Sequence, residues 1–146
     1  MNPMRCVVDA SVGIKLFLQE PSADRVQQLF EQLTTVTRES IFVPDLFFIE
    51  CANILWKKVG RNEYPAALAE QNLADLRAMA LPATSSADLM ERAFQLAHKY
   101  RITAYDACYL ALAERLKLPL LTADEQMSEM REDAPYEIVT LAHLAT

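Results

Sequence analysis

Two glycines in 146 residues, Gly13 and Gly60, are too few to build a phosphate-cradling loop or a dinucleotide-binding turn. Histidine is just as scarce. His98 and His143 stand far apart and read as surface residues, so neither a zinc site nor a Ser–His–acid triad can be assembled around them. Cys6, Cys51 and Cys108 are odd in number, widely spaced and set among apolar residues. That is the pattern of free core thiols in a reducing cytoplasm rather than of disulfides or a metal clip. Apolar residues make up 52% of the chain, yet no run approaches the roughly 18 uninterrupted ones of a membrane span. The opening MNPMRCVVDAS turns acidic at Asp9 and does not read as a secretory signal.

An excess of positive charge is missing too: the formal net charge is −6. Its distribution matters, because residues 124–137 hold six acids against Arg131 alone, leaving 14 acids and 13 bases elsewhere. A strongly basic groove is excluded, while a local patch for phosphates is allowed. Lys15, Arg38, Lys57, Lys58 and Arg61 are the candidates for it. No internal repeat, low-complexity tract or linker interrupts the chain, and its length fits one domain, residues 1–146.

What is present is an alternation of short apolar runs and helical periodicities. Arg5 to Val8 reads as a first strand, and Asp9 or Ser11 caps a short helix through about Leu18. A second helix restarts at Pro21-Ser22, with Val26, Leu29, Phe30 and Leu33 as its stripe, before a polar loop from Thr34 to Ser40. Ile41 to Val43 is a second strand closed by Pro44. The stretch LFFIECANILW, residues 46–56, is apolar enough for a largely buried helix, with Gly60 placed as its C-terminal cap. Its polar residues Glu50, Asn53 and Lys57 share one stripe.

Residues 63–80 read as a longer helix with Pro65 in its first turn, and Leu81 to Ala83 as a weak strand. Ser85 or Ser86 caps a further helix whose Met90, Ala93, Phe94, Ala97 and Tyr100 are expected to face the core. The helix beginning near Thr103 stops at Lys117-Leu118-Pro119 and is followed by a buried strand, Leu120 to Thr122. A short acidic helix at about 125–132 and a last strand from Tyr136 to Val139 complete the pattern. Strands alternating with helices predict an α/β fold: a short parallel sheet of about four or five strands with helices on both faces.

Four acids stand at telling places: Asp9 after the first strand, Glu50 on the buried helix, Asp106 at a helix start and Asp124 just past a strand. Each has a plain structural role open to it. Asp9 caps a helix, Asp106 falls in a first turn three residues after Thr103, Asp124 lies in a capping-box match, and Glu50 sits on a solvated stripe. The parallel topology nonetheless tends to bring all four to one end of the sheet, where ligands of open α/β sheets bind. Two carboxylates about 4 Å apart repel by about 4 kcal/mol at an effective dielectric near 20. A cluster therefore needs either protons or a cation. Oxygen-only ligands select a hard ion, Mg²⁺ or Mn²⁺, suited to phosphodiester hydrolysis by an activated water. Ser11, Asn53 and Thr122 lie close enough in sequence to orient the acids, or else serve as caps and surface polar groups.

Three blocks, VVDASVGIKLF, PDLFFIECANILWK and TAYDACYLALAERLKLPLLTAD, resemble those of PIN-domain nucleases, in particular the VapC-like toxins of type II toxin–antitoxin pairs. The resemblance spans nearly the whole chain and matches the order and spacing of the four acids. It implies a single PIN-like domain with catalytic and metal-binding acids at Asp9, Glu50, Asp106 and Asp124, and Ser11, Asn53 and Thr122 as polar neighbours. It also implies Mg²⁺- or Mn²⁺-dependent endoribonuclease activity, a cytoplasmic homodimer, and restraint by a VapB-like antitoxin. A non-catalytic module whose acidic pocket binds a basic peptide is the alternative. A phosphate-accepting receiver domain is disfavoured, because Asp9 has no acidic neighbour and Ala123-Asp124 stands where a lysine is needed.

Overall fold

Short, mostly apolar runs form five parallel strands in the computed structural model, which describes residues 5–16, 41–124, 127 and 138–140. They are β1 (Cys6–Val8), β2 (Ile41–Pro44), β3 (Ala83–Thr84), β4 (Leu120–Thr122) and β5 (Ile138–Thr140). Their order across the sheet is β3-β2-β1-β4-β5. Every pairing is parallel, with Val7 opposite both Phe42 and Leu120, and Val8 opposite Leu121. The central position of β1 and β4 explains why they are apolar but for Thr122: every residue of both strands is buried.

Among the described residues the helices are α1 (Ala10–Gly13), continued by a 3₁₀ turn (Ile14–Leu16), α2 (Leu46–Gly60), α3 (Ala66–Ala78), α4 (Ser86–Tyr100) and α5 (Ala104–Leu116). The chain steps outward from β1 through β2 to β3, then returns to place β4 on the other side of β1. Right-handed crossovers put the helices of the outward run on one face and those of the return on the other. In agreement, α2 packs on β2, α1 and α3, whereas α5 packs on β1, β2 and β4 with α4 against it. Residues 107–113 of α5 are all buried, as a helix apolar on every side requires.

That reversal of direction makes the gap between β1 and β4 the topological switch point of the sheet. Ligands of open α/β sheets bind there, beyond the strand C-termini. Asp9 immediately follows β1, and Asp124 lies two residues past β4. Because helices run back antiparallel to the strands, the first turns of α2 and α5 reach the same edge.

Several expectations change in detail. In α4 the buried positions are Leu89, Ala93 and Leu96, while Met90 is 61% and Phe94 70% exposed. Ala93 is buried as expected and Ala97 and Tyr100 pack against the core, so only Met90 and Phe94 fall on the wrong edge of a wide apolar arc. Gly60 is the last residue of α2 rather than a cap beyond it, and a Cβ there would meet nothing. Pro65 stands at the N-cap of α3 rather than inside its first turn. The first helix is one α-turn and a 3₁₀ turn, described only to Leu16. The expected helix from Pro21-Ser22, the loop from Thr34 to Ser40, and all but Met127 of the acidic helix at 125–132 lie outside the described residues, as does Tyr136 of the last strand.

The shortage of glycine leaves marks on the backbone. Helices α4 and α5 both end on left-handed residues that are not glycine, Arg101 (φ 57°) and Lys117 (φ 56°). Each ending is closed by a six-residue backbone bond, Ile102 N–H to Ala97 O at 3.2 Å and Leu118 N–H to Ala113 O at 3.1 Å. Asn62 (φ 58°) and Ala80 (φ 52°) also take this conformation. A left-handed L-residue costs roughly 1–2 kcal/mol. Gly13, by contrast, is where glycine is required, because a Cβ would fall 2.5 Å from the ring of fully buried Phe47. Its role is close approach of α1 to α2 rather than mere tolerance.

Two substitutions should therefore act oppositely on chemical denaturation. Gly13→Ala is expected to lower stability by about 1–3 kcal/mol, because it overpacks a filled core. Ala80→Gly is expected to leave stability unchanged or raise it by up to about 1 kcal/mol, because it relieves an unfavourable φ.

Candidate active site

Asp9 is the deepest of the four acids, only 7% exposed, and its carboxylate is held from three sides. Oδ1 accepts from Ser11 Oγ and, at 3.3 Å, from the Val12 N–H, while Oδ2 accepts from Thr122 Oγ1. The Asp9 N–H in turn donates to Leu121 O at 3.2 Å, so the acid is fastened to β4 through backbone and side chain alike. Ser11 and Thr122 extend the lattice: Ser11 Oγ accepts from the Ala123 N–H, and Thr122 Oγ1 from the Asp124 N–H, both at 3.0 Å. Two hydroxyls thus tie the end of β1 to the turn that carries Asp124.

Asp9 also caps α1, so the plain reading of this residue holds. It does not exhaust the residue, because burial raises the carboxyl to about 6 even against the three hydrogen bonds, with the charge of Asp106 adding to the rise. A helix cap alone gains nothing from being placed where it resists ionisation.

Asp106 lies in the first turn of α5, whose N-cap Thr103 accepts from the Asp106 N–H at 3.1 Å. Burial and the charge of Asp124 both raise the Asp106 carboxyl above its ordinary range, and a side-chain hydrogen bond from Thr103 to that carboxyl partly offsets them. Glu50, on the second turn of α2, is half-buried. Burial raises it, the Tyr109 hydrogen bond lowers it and the charge of Asp106 raises it again. The field is therefore shared: Asp106 reaches Asp9 and Glu50, and Asp124 reaches Asp106. Asp9 and Asp124 follow the ends of β1 and β4, Asp106 lies in the first turn of α5 and Glu50 in the second turn of α2.

Among the described residues, no three acid, histidine or cysteine side chains already close around a point as a ligand cluster. The carboxylates share a field rather than a finished cage. Oxygen donors of this kind, with hydroxyl support and an open side, fit a hard divalent ion that retains water ligands better than one enclosed by protein.

Beside Glu50, the one acid of the four in its wall, is a cleft of about 580 Å³ lined also by Ile49, Ala52, Asn53, Trp56 and Tyr105. Asn53 sits in this wall, one turn past Glu50, rather than in the hydroxyl lattice around Asp9. Trp56 is 70% exposed, whereas Phe47 is core. Lys57, Lys58 and Arg61 lie at the far end of α2 from Glu50, and Arg38 is outside the described residues. The three thiols are buried and free, and burial pushes Cys6 and Cys51 up to about 12 and Cys108 up to about 11. His98 is exposed.

One residue of the site escapes a reading by acids and hydroxyls alone. Tyr109, buried in α5, donates its hydroxyl to Glu50 Oε1 at 2.6 Å. The available signal was its position three residues after Asp106, on the same face of the same helix.

These features, a five-stranded parallel sheet reversing at β1 and β4 with acids gathered at the reversal, define a class of protein that the sequence comparisons identify. The chain belongs to the PIN-domain family, whose model matches residues 6–133. It is 35% identical over 128 residues to a protein of Pyrobaculum aerophilum named Ribonuclease VapC3, covering 86% of this chain and 94% of that one. It is 31% identical over 123 residues to Ribonuclease VapC9 of Mycobacterium tuberculosis, covering 84% and 88%. The VapC ribonuclease Mb0985 of Mycobacterium bovis matches to the same extent. Among solved structures, that of PAE2754 from Pyrobaculum aerophilum superposes with a TM-score of 0.71 over 97% of this chain and 87% of that one, at 22% identity. The fold is shared.

The raised Asp9 carboxyl gives stability a definite pH slope in metal-free protein. Between about pH 4 and pH 6 the folded state holds a proton that the unfolded state has released, so stability falls as pH rises through that window. The fall is on the order of 3 kcal/mol for Asp9, and Glu50 and Asp106 act in the same direction. Denaturation midpoints measured in EDTA should be lower at pH 7.5 than at pH 5, and Asp9→Asn should flatten the difference. A midpoint that rises with pH in the wild type would contradict this assignment.

Proposed function

We propose that this protein is a metal-dependent endoribonuclease, the toxin of a VapBC-type toxin–antitoxin pair, hydrolysing RNA phosphodiesters at the acidic edge of its sheet. The reading rests chiefly on one observation: on a PIN fold, Ser11 and Thr122 hold both carboxylate oxygens of Asp9 at the end of β1 and fasten the turn that carries Asp124 beside it. The charge of Asp106 acts on Asp9 and Glu50, and that of Asp124 on Asp106, a repulsion that a divalent cation would relieve.

Asp9, Asp106 and Asp124 would hold the ion, with Glu50 as a further ligand or as the group that orients the attacking water. Mg²⁺ or Mn²⁺ fits these oxygens. Bound there, such an ion supplies an acidified water and neutralises charge on the phosphodiester. The chain's own share is positioning. Ser11 Oγ, Thr122 Oγ1 and the Val12 N–H fix Asp9 against β4, and Thr103 sets the first turn of α5. The cleft beside Glu50, with Asn53, Trp56 and Tyr105 in its walls, leaves space for an RNA strand to approach.

Further proposals concern partners. Ile49, Trp56, Met90, Phe94 and Tyr105 expose large apolar surfaces that fit coverage by protein, a second copy in a homodimer or a VapB-like antitoxin. Buried free thiols suit a cytoplasmic protein. Among the described residues, no helix is long and apolar enough to cross a membrane.

Purified protein incubated with labelled RNA and Mn²⁺ should cleave it, and EDTA should stop the reaction. Asp9→Asn should reduce cleavage at least 100-fold while unfolding cooperatively like the wild type. Wild-type cleavage by Asp9→Asn, free of contaminating nuclease, would remove Asp9 from the mechanism. Tight binding of basic peptides with no hydrolysis under any metal would favour the non-catalytic alternative.

A further inference from the structure

Glu50 is the acid that local sequence controls least. It lies on α2, whereas Asp9 and Asp124 are fastened to neighbouring strands by the Ser11 and Thr122 lattice. A glutamate side chain has three rotatable bonds, and half of this one faces solvent. Left alone, its carboxylate would sample several orientations and, repelled by Asp106, would favour those turned away from the other acids.

Tyr109 removes that freedom. Its ring is 1% exposed and locked in the core, and its hydroxyl reaches from α5 to α2 to donate to Glu50 Oε1 at 2.6 Å. A phenol offers a single proton, so it takes one carboxylate oxygen and leaves Oε2 to be used elsewhere. Burial and the Glu50 charge hold the phenol protonated far above the ordinary tyrosine range, so it remains a donor at any working pH. Asp106 stands three residues earlier on α5, one turn away on the same face. One rigid helix therefore carries both a candidate ligand and the clamp on its neighbour.

We infer that Tyr109 is a positioning residue for the metal site: its hydroxyl pins Glu50 so that α5 sets the separation between the Glu50 and Asp106 carboxylates. The inference rests on the proposed metal-binding role of these acids. It assigns to a buried aromatic side chain, otherwise indistinguishable from core, the part that hydrogen-bonding partners of metal ligands generally play. Loss of such partners typically reduces metal affinity about 10- to 100-fold.

The test is calorimetric titration of Mn²⁺ into protein without RNA, comparing wild type, Tyr109→Phe, Glu50→Gln and the double variant. Tyr109→Phe keeps the ring and its packing, and should weaken Mn²⁺ binding at least 10-fold while retaining cooperative unfolding. In RNA cleavage it should leave KM for RNA unchanged and lower kcat at limiting Mn²⁺, with recovery as Mn²⁺ is raised. In the Glu50→Gln background, adding Tyr109→Phe should change metal affinity less than twofold. Wild-type affinity in Tyr109→Phe would overturn the positioning role while leaving the metal site intact. An equal loss in the Glu50→Gln background would overturn it too, by showing that the hydroxyl does not act through Glu50. Failure of the wild type to bind Mn²⁺ at all would overturn both this role and the nuclease reading beneath it.

Discussion

A carboxylate sealed from water at the end of the central strand is the constraint around which this molecule is arranged. Asp9 is 7% exposed, hydrogen-bonded on both oxygens, and raised to about 6 by burial with Asp106 adding to the rise. Burying a charge without a partner is expensive, and near neutral pH this one is largely ionised. The surrounding structure makes the problem worse rather than better, since it directs further acids from α2, α5 and the β4 turn toward the same edge. A fold selected for stability alone would gain by replacing any of them with a neutral isostere. Their joint presence makes sense when the stabilising counter-charge arrives from outside the chain.

The sheet supplies the geometry that makes such crowding possible. Strand order β3-β2-β1-β4-β5 reverses between β1 and β4, and the two hydroxyls that bridge this reversal, Ser11 and Thr122, are also the ones that hold Asp9. Structural and chemical roles are fused here. Asp9 caps α1, Thr103 caps α5 through the Asp106 N–H, and Thr122 accepts from the Asp124 N–H. The plain roles weighed for Asp9 and Asp106 are real, and neither competes with a place among the acids at this edge; Glu50, by contrast, is half-buried and bonded to Tyr109 rather than on a solvated stripe. Capping sites occur at helix N-termini, which in a parallel α/β fold crowd the edge where ligands bind.

Much of this was legible in the chain. The apolar β1 and β4, the proline that ends β2 and the small-residue helix of 104–116 identify a parallel sheet because buried parallel strands and central helices admit few other residues. The places of three acids in the fold were legible, because Asp9 and Asp124 follow strand ends and Asp106 lies in a helix's first turn. What stayed hidden has physical reasons. The buried flank of α4 was read right at Ala93, Ala97 and Tyr100 but wrong at Met90 and Phe94, which are exposed while Leu89 and Leu96 lie inside, since two apolar stripes one residue apart are equally periodic. Tyr109 was hidden because a tyrosine on a buried helix differs from core only in where its hydroxyl ends, which depends on a partner 59 positions away. Gly13 needed the Phe47 ring beside it before close approach could be told from tolerance.

The central claim is that these four carboxylates form one cation site. The most direct measurement is an anomalous difference map from crystals of the protein soaked in Mn²⁺. The account predicts a strong peak at the C-terminal edge of β1 and β4, roughly 2.0–2.3 Å from oxygens of Asp9 and at least one of Asp106, Asp124 and Glu50. A map with no peak at that edge, from crystals in which Mn²⁺ occupies other sites or none, would contradict it.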